Sequence, residues 1–111
     1  MQVRHEGEPA SVIDISGELT GATEDELMDA YQAAVGRQTR AIVLNFSALD
    51  YMNSTGIGLL VTLLVRAQRQ GQRIFACGLS EHYRQILALT RLDEAISIVE
   101  TEADALTSVT A

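Results

Sequence analysis

Four consecutive small or polar residues, Asn53, Ser54, Thr55 and Gly56, separate two of the most apolar stretches of the chain. A serine at such a junction has three chemical uses: it caps a helix, it attacks as a nucleophile, or it accepts a modification. Capping needs only a side-chain oxygen at Asn53 or Ser54 facing a free N–H of the first helical turn, and it is worth about 1 kcal/mol. Nucleophilic catalysis needs more, and the pattern G-x-S-x-G is absent, since Met52, Asn53, Thr55 and Gly56 surround the serine. The two imidazoles, His5 near the start and His82 at a predicted helix start, show no sign of converging on it and read as surface residues. Ser-Thr-Gly-Ile-Gly lacks the G-x-x-x-x-G-K-[ST] spacing of a phosphate-binding loop, with no lysine near.

Metal chemistry has less support, because one cysteine and two distant histidines give no ligand spacing. Cys77, inside Arg-Ile-Phe-Ala-Cys, reads as a small buried hydrophobe. Glu24, Asp25 and Glu26 crowd a predicted helix start, where the helix dipole accounts for them. Modification remains. A phosphate on a hydroxyl at a helix N-terminus is held by free N–H groups and the dipole, so the fold tolerates it. What changes is the surface, by roughly −1.5 to −2 charges. Such a site is a switch acting on an interface, with no metal or other cofactor implied.

The elements that position the serine follow from periodicity. Residues 10–17 (ASVIDISG) read as a strand ending at Gly17, paired with MQVRH across the turn-like EGEP. Thr23, with Glu26 three residues on, predicts a capping box. Leu27, Ala30, Tyr31 and Ala34 then recur at helical spacing until Gly36. AIVLNF at 41–46 predicts a short strand covered on both faces, followed by a loop carrying Tyr51 and Met52. From about 54 to 70, Ile57, Leu60, Val61, Leu64 and Val65 predict the buried stripe of an amphipathic helix, with Thr62, Arg66 and Arg69 outward. RIFAC (73–77) reads as a strand, 81–90 as a helix with Tyr83, Ile86 and Leu87 apolar, 95–99 as a strand, and a short acidic helix begins at Glu102.

The order β-β-α-β-α-β-α-β-α predicts one α/β domain over 1–111, a mixed sheet whose parallel strands are joined by right-handed crossovers. With 111 residues and 47% hydrophobic composition the chain can bury a core. A net charge of −7 disfavours nucleic acid and anionic lipid as partners. Arg66 and Arg69 interrupt the longest apolar run, so no membrane insertion is expected. The first residues lack a signal-peptide core, and a cytoplasmic location is the expectation.

The stretch VIDISGEL, followed by AIVLNFSALDYMNSTGIGLLVTLLVRAQRQGQRIFACGLSEHYRQILALTRLDEAISIVETEADAL, resembles the STAS domain family. More narrowly it is similar to the stand-alone bacterial anti-sigma factor antagonists, with their motif D-[ST]-[ST]-G-[LI]-G. The resemblance implies a non-enzymatic protein in a partner-switching cycle. The antagonist binds an anti-sigma factor that is also a serine kinase of the histidine-kinase-like ATPase type, and so frees a sigma factor. Phosphorylation ends the binding, and a serine phosphatase restores it.

By position the implied phosphoacceptor is Ser54, with Thr55 as a minor second acceptor. Thr20, Tyr51, Met52, Asn53, Gly56 and Gly58 fall in the switch and partner-binding region, the two glycines allowing close approach. Two residues depart from the family pattern: Asn53 and Thr20 stand where aspartates are usual. A second reading is therefore a docking subunit that binds without being switched, within a transporter, lipid-trafficking or stress-signalling assembly.

Overall fold

The computed structural model describes residues 1–5 and 9–110, with side chains through Val109. The expected turn at EGEP lies mostly on residues 6–8, outside the described residues. Five strands form one sheet in the order β1 (Gln2–His5), β2 (Ala10–Leu19), β3 (Ala41–Met52), β4 (Arg73–Cys77) and β5 (Ile96–Ile98). β1 pairs antiparallel with β2, and the remaining neighbours are parallel. Among the described residues there are four helices: α1 (Glu24–Ala34), α2 (Ser54–Arg69), α3 (Glu81–Leu89) and α4 (Glu102–Thr110). Short 3-10 turns occupy Gly21–Thr23 and Leu92–Glu94. The expected alternation of strands and helices is the one found.

Each parallel step moves in the same direction across the sheet, so right-handed crossovers put α1, α2 and α3 on one face. The period-2 alternation of the strands then sorts the core. Ile42, Leu44, Ile74 and Ala76 join Ile13, Ile15 and the residues of these three helices in the larger cluster. Their sequence neighbours Ala41, Val43, Phe75 and Cys77 point the other way with Val12 and meet Ala105 of α4. Because both faces are covered there, Ala41–Leu44 of β3 and Ile74–Cys77 of β4 are continuously apolar rather than alternating.

Three local expectations are corrected. Thr23 does stand at the N-cap of α1, but its side chain makes no cap there. Its Oγ1 instead accepts from Thr20 N at 3.0 Å and donates to Thr20 O, closing a capping box on the preceding 3-10 turn. The strand predicted to end at Phe46 runs on to Met52, so no loop separates it from α2. Its second half pairs with β2 through two register shifts, between Asp14 and Ser16 and between Gly17 and Glu18, which place extra residues in β3. Such bulges break the two-residue alternation that would have marked the strand.

The third correction is the face of α2. Gly56, Leu60 and Leu64 form one buried row, and Leu59, Leu63 and Ala67 form the next. Val61 and Val65 are each 41% exposed and Ile57 is half-buried. The cause is Gly56: a Cβ there would stand 2.1 Å from the Leu19 carbonyl oxygen. The two small residues Gly56 and Ala67 therefore face inward, and the β-branched row is rotated outward. Thr62, Arg66 and Arg69 are exposed as expected.

Candidate functional site

The chain passes from strand to helix over one residue. Asn53 has extended backbone angles, and its Oδ1 accepts from Gly56 N at 2.9 Å, so Asn53 is the cap of α2 and Ser54 its first residue. Asparagine and aspartate are nearly equal caps. Asn53 N donates to Leu19 O at 3.4 Å, fixing the junction to the end of β2.

Ser54 and Thr55 are both exposed. The Ser54 hydroxyl has no hydrogen-bond partner among the described residues, because the capping role has been taken by Asn53. The first-turn N–H groups of Ser54 and Thr55 have no intrahelical acceptor. No acidic residue occupies this first turn, and the basic residues Arg66 and Arg69 sit in the last. The result is an unengaged hydroxyl at the positive end of a 16-residue helix.

The end of β2 forms the neighbouring wall. Thr20, half-buried, accepts from Ala22 N at 3.2 Å and is held by Thr23, so its side chain serves the turn. A Cβ on Gly21 would lie 3.4 Å from Thr55 Cγ2, which places the 20–22 turn against the start of α2. Of the two residues expected in a loop and found at the end of β3, Tyr51 is 49% exposed while Met52 is 5% exposed and belongs to the core. The glycines also divide. Gly56 permits the close approach expected of it; Gly58 faces open space, so the expectation of a close approach there is not met.

Beside Ser54 a groove of about 300 Å³ runs between α2 and α3, lined by Met52, Asn53, Ser54, Ile57, Ile86 and Thr90. Ile57 begins the outward apolar row that continues through Val61 and Val65, so the serine stands at one end of a partly exposed hydrophobic surface. Periodicity pointed to these residues as core and so missed this surface. Tyr83 was also missed as part of the site: its hydroxyl accepts from Met52 N at 2.8 Å. The available signal was an aromatic residue with a polar tip on a half-buried helix face.

The other chemically capable groups lie elsewhere. His5 Nδ1 is 3.1 Å from Ser11 Oγ, and His82 packs edge-on against Tyr83 with centroids 5.0 Å apart; neither bonds to Ser54. Cys77 is buried, and burial pushes its thiol pKa up, away from reactivity. On the α4 face, Arg4 Nε and Nη2 hold Asp14 at 2.7 and 2.9 Å, while Arg4 Nη1 reaches Glu102 at 3.0 Å. Glu102 also accepts from Asn45 Nδ2 at 3.2 Å. Hydrogen bonds from Arg4 hold both carboxyl groups below their usual range. This cluster ties β1, β2, β3 and α4 together. No group of three or more metal-ligating side chains occurs among the described residues, and none of their helices is long and apolar enough to cross a membrane.

A mixed five-stranded sheet with an exposed serine opening the helix after β3 defines a recognisable class. The STAS domain model matches residues 1–105, and the chain belongs to that family. Among its relatives, the anti-sigma F factor antagonist of Paenibacillus polymyxa is 27% identical over 99 residues, covering 88% of this chain and 85% of that one. The anti-sigma-B factor antagonist of Staphylococcus aureus is 27% identical over 88 residues, 79% and 82% of the two chains. The fold is shared with the anti-sigma factor antagonist SpoIIAA in its unphosphorylated form, at a TM-score of 0.78 and 20% identity over 99% and 97% of the chains. An anti-sigma factor antagonist from Mycobacterium paratuberculosis superimposes at 0.80, with 25% identity over 99% and 96%.

Proposed function

We propose that the chain is an anti-sigma factor antagonist that binds an anti-sigma factor through α2 and its neighbouring groove, and that phosphorylation of Ser54 ends the binding. The observation that carries this reading is the free Ser54 hydroxyl at the start of α2, with Asn53 rather than the serine serving as cap. A hydroxyl with no internal partner can leave the fold's hydrogen bonding untouched when it is esterified. The first-turn N–H groups then donate to the phosphate oxygens. The relatives in Paenibacillus polymyxa and Staphylococcus aureus carry the antagonist name, which supports the same reading.

Switching follows from where the charge lands. The row Ile57, Val61, Val65 offers apolar contact to a partner, and Ser54 stands at its end. A dianion there must be desolvated whenever that surface is covered, unless the partner supplies a cation. Burying an unpaired charge costs several kcal/mol, which is enough to abolish an ordinary protein interface. In this role the chain is a substrate of a serine kinase, which is the anti-sigma factor itself, and of a serine phosphatase. Thr55, also exposed on the next position, is the minor acceptor.

Intact-mass and phosphosite analysis of the protein from its own cells, beside Ser54→Ala, tests the proposal. The expected result is one phosphate on Ser54 that is absent from the variant. No phosphate on Ser54 under any growth condition, with partners still bound, would refute the switch and leave a constitutive docking subunit.

A further inference from the structure

The second half of β3 is a weak point in the sheet. β4 pairs with β3 only as far as Asn45, so from Phe46 onward β3 is bonded on one side alone, to β2, and through two bulges. Asn53 N points towards β2, where it meets Leu19 O. Successive N–H groups of an extended chain alternate in direction, so the N–H of Met52 points the opposite way, to the side from which β4 is missing. An amide left there without a partner would be destabilising, because Met52 is buried.

α3 supplies the missing partner. The Tyr83 hydroxyl accepts from Met52 N at 2.8 Å and lies 3.4 Å from Met52 O, to which it donates. One side-chain oxygen thus bonds both polar groups of a strand residue, as a neighbouring strand would. Tyr83 is fixed in turn, since α3 is capped by Ser80, whose Oγ accepts from Tyr83 N. Met52 lies two residues before Ser54, and its side chain lies in the α2–α3 groove with Ile57 and Ile86.

We propose that Tyr83 is a positioning residue for the Ser54 switch. By standing in for a strand at Met52 it holds the last residue of β3, and hence the serine hydroxyl, in the place a kinase must find it. Phosphoryl transfer requires the attacking oxygen within about 3–3.5 Å of its target and in line, and a misplacement of about 1 Å costs roughly 100-fold in rate. A tether at Met52 therefore acts on turnover rather than on recognition. The inference rests on Ser54 being the phosphoacceptor.

The test is Tyr83→Phe, which removes one oxygen and keeps the ring. Wild type and variant are phosphorylated with ATP and the kinase fraction of the protein's own cells, over a range of antagonist concentrations, and Ser54 phosphate is read by mass. Vmax is expected to fall about 10-fold with KM changed less than about 2-fold. Amide exchange at Met52 should accelerate by at least about 10-fold while that of Val43 and Ile74 does not. Unchanged Vmax with wild type still phosphorylated overturns the positioning role alone, and so does a rise confined to KM. Wild type without Ser54 phosphate overturns the underlying reading together with the inference. Should the variant fail to fold, the wild-type amide decides: Met52 exchanging as fast as an unstructured peptide refutes the tether.

Discussion

Substituting alanine for each of the two glycines at the start of α2 should have opposite effects on stability. At Gly56 the added Cβ would meet Leu19 O at 2.1 Å, Leu19 C at 2.9 Å and Met52 Cγ at 2.9 Å. The first is about 1.4 Å inside the 3.5 Å of ordinary van der Waals contact. The obstacle is the backbone of β2 and cannot rotate away, so the helix must lift from the sheet. Overpacking of this kind costs about 3 kcal/mol or more. Alanine's better helix propensity returns about 1 kcal/mol, for a net loss of about 2 kcal/mol or more.

At Gly58 nothing lies within 4 Å of the new Cβ and the position is exposed, so the propensity gain of up to about 1 kcal/mol stands alone. Urea unfolding resolves the pair, because a separation of about 3 kcal/mol with m near 1–3 kcal/mol/M spaces the midpoints by roughly 1–3 M. Gly56→Ala should unfold earliest, wild type next and Gly58→Ala last. A Gly56→Ala protein as stable as wild type would refute the close β2–α2 packing and, with it, the account of why α2 is rotated.

The order of elements was legible because each carries its own local period, as in Leu27, Ala30, Tyr31 and Ala34 or in RIFAC. The position of Ser54 was legible for a similar reason: a cap residue, a small polar cluster and an apolar helix are all neighbours in sequence. The rotation of α2 was not, since Ile57, Val61 and Val65 fit a buried stripe as well as Leu59 and Leu63 do. The choice between them is made by Gly56 meeting Leu19, which lies 37 positions earlier in the chain. The second half of β3 was hidden by its bulges. Arg4 and Glu102 are 98 residues apart and meet only once β1 and α4 have been placed on the sheet. The Tyr83–Met52 bond likewise depends on where β4 stops.

The rotation of α2 has a direct mutational signature. Leu63→Ala should cost about 2–5 kcal/mol, whereas Val65→Ala should stay within about 0.5 kcal/mol, both read from urea midpoints. Equal losses would restore the stripe that periodicity alone suggested. The Arg4 cluster predicts a pH dependence. Arg4 lowers the pKa of Asp14 and Glu102 in the folded state, so each contributes stability that is present above its unfolded value, near pH 4, and is lost as pH falls through the lower folded value. The three side chains are 24–32% exposed, so solvent screens the pairs only in part. Two charged hydrogen-bonded contacts of this kind are worth about 1–2 kcal/mol together. Arg4→Gln should therefore be less stable than wild type by about that amount at pH 7, with a smaller gap at pH 3, because below about pH 4 the unfolded chain takes up protons that the paired carboxylates of the folded wild type resist. A gap of the same size at both pH values would mean that Arg4 stabilises the sheet by packing its stem and that its charge is immaterial.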